Sequence, residues 1–590
     1  MVAAAALIWT WDRGLTMIDD EWGYVLRITT EPASTYLLNP PAGKHLIAVP
    51  LLFYRAVYEL FGIDSDAPFQ VAHIVLLLLC AGLFFVLARR RVGDWLAVLA
   101  TMVLLFLGPA REVVATPLRI PALISIAAGL GMLLLLERRD LRGDVVAAFL
   151  LLVSLASLST GYPFAAAAAV LVLARPSPAR WRRAWVFLIP SALYLIWWVA
   201  EFDLGPNAQP LGSTILDLPI YLGKSLGVTI LSVTGLVATG STGELLAPLA
   251  FYVAVGAILG ALLLWALVAL VRRQRRVSPF LVAMAVGLLV FWAATAFAPG
   301  PERVPWASRY LYLDAVFLLL LLCEVARGLD VPRRLTTVGW AVVIVAFAIS
   351  IAGNIRELRN ETDLLVQDSR YIRAGLTTLE MSRGSVDPTF QLGSVLATAT
   401  PERKGLLGDH LEDNGVPLGN VPAGGFFRIF DRWGSPAFTP AEIPEQSPDV
   451  RRAADIVMAR AMGLRLEPTA GGASSGARPA PQPILPKGSW SAATPGCVKL
   501  SSASGTGNGM VALATQGATV HAGDGGAVTV NLGRFGDGTP VRLGTVPAGT
   551  SAEVRIPPDF ATEKSPIKWR VGVADAAGAS VCGLGPPVVK

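Results

Sequence analysis

The stretch Phe69-Gln70-Val71-Ala72-His73-Ile74-Val75-Leu76-Leu77-Leu78-Leu79-Cys80-Ala81-Gly82-Leu83-Phe84-Phe85-Val86-Leu87-Ala88, followed at once by Arg89-Arg90-Arg91, decides the fold class. About 20 mostly apolar residues are what a helix needs to cross a hydrocarbon core of about 30 Å. An arginine cluster directly after such a run marks its cytoplasmic end. Working outward, similar apolar runs occupy residues 94–110, 118–136, 145–159, 162–174, 185–200, 246–271, 279–298, 309–326 and 336–353. With a stub at residues 2–10 they make about eleven spans of a polytopic α-helical membrane protein. Composition agrees. The 590 residues are 53% hydrophobic and 16% charged, with a mean hydropathy of +0.56. Soluble proteins carry about 25% charged residues, so a water-soluble multidomain enzyme is excluded.

Basic residues recur in alternate connections: Arg89-Arg90-Arg91, Arg138-Arg139 with Arg142, Arg180 with Arg182-Arg183, Arg272-Arg273 with Arg275-Arg276, and Arg333-Arg334. These are expected to face the cytoplasm. The net charge of +6 restates these clusters and calls for no nucleic-acid partner. The other connections, residues 11–68, 111–117, 160–161, 201–244 and 299–308, and everything after 354, are then extracytoplasmic. Parity closes only if residues 220–240, with Lys224 and several Gly, Ser and Thr, form a re-entrant or interfacial helix rather than a span. The stub at 2–10 would rise only about 14 Å, and no basic residue precedes it. The native chain is therefore expected to begin upstream.

Composition changes near Gly353. Residues 1–353 hold 12 of the 15 Trp, and the remainder reads as soluble protein. A charged helix to about residue 383 opens an α+β module at 354–467. A Gly/Ala/Ser/Pro-rich linker follows at 468–490. Short alternating runs separated by glycine-rich turns then predict a β-sandwich over 491–590. Cys497 and Cys582 lie near its two ends. In an oxidising compartment such a pair forms a disulfide, whereas Cys80 and Cys323 lie inside apolar helices and read as buried thiols.

No P-loop, no GxGxxG after a strand and no His/Cys cluster occurs, and there are only four His in all. Neither a cofactor nor a divalent metal is indicated. The informative stretch is Ile18-Asp19-Asp20-Glu21-Trp22-Gly23-Tyr24, followed by Leu38-Asn39-Pro40-Pro41-Ala42-Gly43-Lys44-His45. Three successive carboxylates beside a membrane span are costly unless hydrated or paired. They read either as a solvated acidic turn or as a general base held at the membrane surface.

These motifs resemble the first loop of the GT-C superfamily of integral-membrane glycosyltransferases, in particular the protein O-mannosyltransferase and aminoarabinose-transferase branch. That branch carries an Asp-Glu pair after the first helix, then a Pro-Pro-Leu-Gly-Lys type motif and an interfacial helix. Asp20-Glu21 with Tyr24, Pro40-Pro41-Ala42-Gly43-Lys44, and residues 46–61 with an Arg55/Glu59 pair match that pattern. Asn39 stands where the mannosyltransferases usually have His, and Asp19 precedes the Asp-Glu pair. The appended β-sandwich resembles the arrangement in actinobacterial arabinosyltransferases of this superfamily, whose C-terminal domains bind carbohydrate.

The resemblance implies a multi-pass plasma (inner) membrane enzyme of GT-C-like fold. It would move a sugar from a polyprenyl-phosphate donor to a hydroxyl of a cell-envelope glycan, by inverting displacement at the extracytoplasmic face of the bilayer. Such a reaction needs a base for the hydroxyl proton, for which Asp20, Asp19 and Glu21 are the candidates. It also needs cations for the departing phosphate, for which Arg309, Lys44, His45, Arg111 and Arg119 are candidates, with Arg27 and Arg303 on the same expected face. Asn39, Tyr24, Tyr310 and Trp306 are the candidate substrate contacts.

Each residue also has a plainer reading. Arg303 can pair with Glu302, Arg309 can snorkel at a helix start, and His45 can be structural. Trp197, Trp198 and Trp306 suit an aromatic belt, His73 suits packing, and His410 and His521 suit the surface. Two other functions fit the composition: a transporter or flippase of lipid-linked glycans, and a non-catalytic glycan-binding scaffold. The spans are almost free of ionisable residues at mid-depth and no internal repeat occurs, which favours a surface site over a transport pathway.

Overall fold

The computed structural model describes residues 1–18, 20–39, 45–138, 140–174, 179–201, 211–236, 278–297, 304–327, 336–399, 418, 420–469, 481–485, 490–500, 509–513, 517–535, 541–557, 568–574 and 578–584, with isolated positions between 254 and 261. The predicted span at 246–271, the linker centre and His410 therefore lie outside the described residues. The chain forms two compact units, Met1–Val366 and Gln367–Lys590.

The first unit is helical. Its elements are α1 (Val2–Trp11), α2 (Asp20–Thr30), α3 (Ala33–Leu38), α4 (Ala48–Phe61), α5 (Ala67–Leu105), α6 (Arg111–Ala115), α7 (Ile120–Leu136), α8 (Leu141–Leu155), α9 (Tyr162–Leu173), α10 (Ala179–Arg183), α11 (Trp185–Glu201), α12 (Leu211–Val233), α13 (Pro279–Ala296), α14 (Ser308–Arg327) and α15 (Thr336–Met381). Five segments among the described residues are long and apolar enough to cross a bilayer: Ala67–Leu105, Pro117–Leu136, Ile215–Val233, Pro279–Ala296 and Gly339–Met381. Val2–Trp11, Ser159–Leu173 and Trp185–Glu201 are shorter apolar helices. α5 breaks at Gly93, whose φ of 78° is open to glycine, so its two arms correspond to the predicted runs at 69–88 and 94–110.

Residues 220–233 are helical, as expected, and continue one helix that starts earlier, at Leu211. Its hydroxyls bond within the helix, Ser225 to the Tyr221 carbonyl, Thr229 to Ser225 and Ser232 to Val228. Back-bonding of this kind hides polar side chains within an apolar helix.

Packing in this unit uses small residues to bring helices together, as in membrane bundles generally. α7 packs on α8 and α5, and α9 on α13. A Cβ at Gly129 would overlap the Phe164 ring, and one at Gly287 the Phe317 ring. Arginines of two of the clusters are paired with carboxylates. Arg91 reaches Glu137 at 2.8 Å and Glu324 at 3.0 Å and lies over the Phe280 ring, while Arg183 pairs with Asp144.

The second unit holds the C-terminal part of α15 with α16 (Leu392–Ala399), α17 (Ala423–Trp433) and α18 (Pro448–Ala461), then eleven described strands: β1 (Glu467–Thr469), β2 (Gln482–Leu485), β3 (Trp490–Ala492), β4 (Cys497–Leu500), β5 (Gly509–Ala512), β6 (Gly517–His521), β7 (Val528–Gly533), β8 (Val541–Val546), β9 (Ser551–Arg555), β10 (Arg570–Ala574) and β11 (Ser580–Gly583). Two antiparallel sheets form, in the orders β1-β9-β6-β11-β4-β3 and β2-β5-β10-β7-β8. Alternation drives them: Val528, Val530 and Leu532 of β7 and Val571 and Val573 of β10 point into the core. Cys497 and Cys582 face each other across β4 and β11 and are joined by the predicted disulfide.

Helix α18 shares this core through Val450, Ala454 and Met458. The buried Asp455 carboxylate accepts the backbone N–H groups of Arg534 and Phe535, each at 2.9 Å. Removing it would strand two buried donors. Asp455→Ala is expected to destabilise the second unit by about 2–5 kcal/mol, read as a lower unfolding midpoint; an unchanged midpoint would refute the assignment.

Candidate active site

Construction begins where α1 ends. Residues 12–18 are short of side chains that could span lipid, but Leu15, Met17 and Ile18 are buried, and α5 holds this segment. Gln70 donates its amide to the carbonyls of Asp12 at 2.9 Å and Leu15 at 3.3 Å. Thr16 donates to Asp66 at 3.1 Å. Burial raises the Asp12 carboxyl well above the usual carboxylate range.

The segment delivers the acidic turn to α2, and there the described carboxylates part. Glu21 is only 2% exposed and accepts the Ile18 backbone N–H at 3.1 Å, a reach back of three residues that caps the helix start. Trp22 donates to the Met17 carbonyl. Asp20, in the same first turn, is exposed. Asp19 lies outside the described residues.

From this turn the site continues through tyrosines. The Tyr24 ring meets Tyr54 at 5.9 Å between centroids, and Tyr54 stacks on Tyr58 at 6.1 Å. The spacing of four residues puts Tyr54 and Tyr58 on the buried face of α4. Burial, reinforced by the nearby Glu21 carboxylate, pushes both phenols well above their ordinary range, so both stay protonated. Tyr54 donates to the Pro117 carbonyl at 3.2 Å and lies within electrostatic reach of Arg119.

Arg119 forms an ion pair with Glu112, its Nε donating at 2.9 Å. Arg309, at the start of α14, interacts with both Glu112 and Arg119 and lies over the Tyr310 ring at 5.2 Å. Glu112 is fixed by its backbone: its N–H donates to Ser308 Oγ at 3.1 Å and its carbonyl accepts from Thr116. Thus Glu21, Tyr24, Tyr54, Arg119, Glu112 and Arg309 are linked by ring contact, ion pairing and electrostatic reach, and Asp20 lies one helical turn before Tyr24 on α2. The cluster sits at the opposite end of α7 and α14 from the Arg91, Glu137 and Glu324 network, about 22 Å away along α14 from Arg309 to Glu324.

Other predicted residues fall elsewhere. Arg111 turns away from Glu112 and forms a buried ion pair with Glu361 at 3.1 Å, at 3% and 5% side-chain exposure. Tyr310 is buried against Phe291, and Trp306 is half-buried. Arg27 pairs with Glu31 and donates to the Asn39 carbonyl at 2.7 Å, while Trp197 donates to the Leu38 carbonyl. These two contacts anchor the chain just before the motif at residues 40–44, which lies outside the described residues together with Arg303. His45 is half-buried. His73 is buried and bonded to the Val113 carbonyl at 2.9 Å, a packing role. Arg55 bonds to Tyr36 at 2.8 Å and sits 3.7 Å from Glu59, the expected pair. In the second unit His521 bonds to Ser551.

Sequence reasoning missed several residues. Tyr54, Tyr58 and Glu112 link the acidic turn to the arginines, and Gln70 and Asp66 hold the turn. The i,i+4 tyrosines on an otherwise aliphatic helix were the available signal. The spans are also less free of charge than expected. Asp314 of α14 is 1% exposed, accepts Trp292 Nε1 at 2.8 Å and lies 3.5 Å from the Thr229 hydroxyl; its indole partner is what makes it tolerable. Among the described residues no three His, Cys, Asp or Glu side chains are grouped as a metal site.

Fold and site together define a polytopic helical membrane protein with a carboxylate, tyrosine and arginine cluster at one end of its bundle and a C-terminal two-sheet β region. No family model and no curated protein sequence matches the chain. Among solved structures it is similar to ArnT from Cupriavidus metallidurans. The structure bound to undecaprenyl phosphate is 15% identical with a TM-score of 0.39, covering 66% of this chain and 81% of that one. The apo structure is 14% identical with a TM-score of 0.38, covering 66% and 80%. Likenesses of this size carry no argument about chemistry, which rests on the residues themselves.

Proposed function

We propose that this chain is a GT-C-type membrane glycosyltransferase that moves a sugar from a polyprenyl-phosphate donor to a hydroxyl of a cell-envelope glycan. The reading is supported above all by one juxtaposition: an exposed carboxylate, Asp20, on the same helix as Tyr24, whose ring meets Tyr54, which lies within electrostatic reach of Arg119 and through it of Arg309. A base and a phosphate-holding cation pair at one membrane surface are what this transfer needs. By the positive-inside rule that surface is extracytoplasmic, because the arginine clusters lie at the other end of the helices.

In the proposed step the acceptor oxygen attacks the anomeric carbon while its proton passes to the Asp20 or Asp19 carboxylate. The bond from the anomeric carbon to the phosphate oxygen breaks, and its electron pair stays on that oxygen. The configuration inverts. Arg119 and Arg309 hold the phosphate, whose charge grows as the bond breaks, and arginine suits this because its fork pairs with two oxygens and stays charged. Residues 1–353 carry the catalytic work, and the sandwich at 491–590 would keep the glycan acceptor close, raising its effective concentration.

The test is the purified full chain in proteoliposomes with a polyprenyl-phosphate sugar labelled in the sugar. Label passing to added envelope glycan, with release of polyprenyl phosphate, is the expected result. Movement of intact donor between leaflets without cleavage would replace the proposal with a flippase, and glycan binding with neither event would replace it with a scaffold.

A further inference from the structure

The described cation pair does not stand alone, because Glu112 sits between its members. This carboxylate pairs with Arg119 and interacts with Arg309. It is held there from both sides of its own backbone by Ser308 and Thr116. A site evolved only to grip phosphate would omit it. The neighbouring Arg111 and Glu361 form an ion pair, and Glu21 is engaged with the Ile18 amide. Glu112 therefore offsets part of the positive charge that Arg119 and Arg309 bring to this place.

Resting on the reading of the site as a lipid-phosphate glycosyltransferase, we propose that Glu112 is a specificity-determining residue that sets the cluster to prefer the donor over its own lipid product. The donor is a phosphodiester with one negative charge. Cleavage leaves the electron pair of the broken bond on the phosphate, so the product is a phosphate monoester whose second ionisation is near pH 6 and which carries about −1.5 to −2 at neutral pH. Glu112 repels the single charge of the diester and, about twice as strongly, the dianion, in a place little screened by water. The carboxylate therefore raises the free energy of the bound product more than that of the bound donor, which promotes product release. Loss of Glu112 would tighten product binding more than donor binding and turn the product into an inhibitor.

The experiment compares two probes on the purified full chain in detergent: a polyprenyl monophosphate and the methyl phosphodiester of the same lipid, with affinities read by intrinsic tryptophan fluorescence. Glu112→Gln is expected to shift the ratio of monoester to diester affinity toward the monoester by about tenfold or more, equivalent to about 1.4 kcal/mol. Glu112→Asp keeps the charge and should hold the wild-type ratio. The double variant E112Q/R119Q restores the net charge and should return the ratio to the wild-type value, which guards against a purely structural effect of the single change. An unchanged ratio in E112Q with both affinities measurable would overturn the proposal. So would an equal shift in E112D. If the wild type binds neither probe, the glycosyltransferase reading itself fails, a result distinct from either.

Discussion

Replacing Asp20 by Asn in the purified full chain is expected to lower kcat for sugar transfer by about 10²–10⁴-fold, the usual contribution of a positioned general base, while donor KM changes little. The expectation follows from how the acidic turn is built. Glu21 is spent on structure: it is buried and accepts the Ile18 amide. Glu21→Gln should therefore act first on stability, because it weakens the cap that starts α2. Asp20 is exposed one residue earlier in the same turn, on the helix whose Tyr24 leads to Tyr54 and the arginines. An amide has the size of the carboxylate and no capacity to take the hydroxyl proton, so the loss would fall on the chemical step. Asp19→Asn, made in parallel, assigns the base between the two adjacent carboxylates. Steady-state kinetics of D19N, D20N and the double variant decide the matter, and full activity in the double variant would sink the base assignment.

How much of this was legible in the sequence depended on the range of the interaction. Span patterning is local, and the apolar run at 69–88 with its arginine stop is recovered as the first arm of α5. The sandwich was legible for the same reason: alternation in 528–532 and 570–574 is a property of each strand. The disulfide followed from two cysteines near the ends of that domain, and their register across β4 and β11 makes the pairing direct. The start of α12 was not legible because composition counts Ser225, Thr229 and Ser232 as polar and drew attention to 220–240, whereas within the helix their hydroxyls bond to its own carbonyls and the helix begins at Leu211. Arg111 and Arg119 looked equivalent from spacing alone. They diverge because a short helix turns adjacent residues to different sides, sending Arg111 to Glu361, 250 residues away in the chain, and Glu112 to Arg119. No local pattern announces a partner at that distance.

That divergence makes the arginines separable by experiment, and Arg309→Ala is the variant with the second large expected effect. Arg309 interacts with Glu112 and Arg119 and is oriented by the face of Tyr310, so in the proposed mechanism it meets the phosphate as charge develops there. Losing one preorganised donor to such charge costs about 10²–10³ in kcat. Lysine should rescue only in part, since its compact ammonium keeps the charge but not the two-pronged geometry. Arg111→Ala supplies the contrast. Its guanidinium is buried against Glu361, so removal takes the cation from a buried ion pair, a change that destabilises by about 3–5 kcal/mol. R111A is therefore expected to lower the unfolding midpoint and the yield of folded protein, with kcat per folded molecule close to wild type. R309A should do the reverse, retaining the midpoint and losing turnover. Thermal unfolding of both variants, set beside transfer kinetics normalised to folded protein, separates the roles, and R309A with wild-type kcat and donor KM would remove Arg309 from the phosphate site.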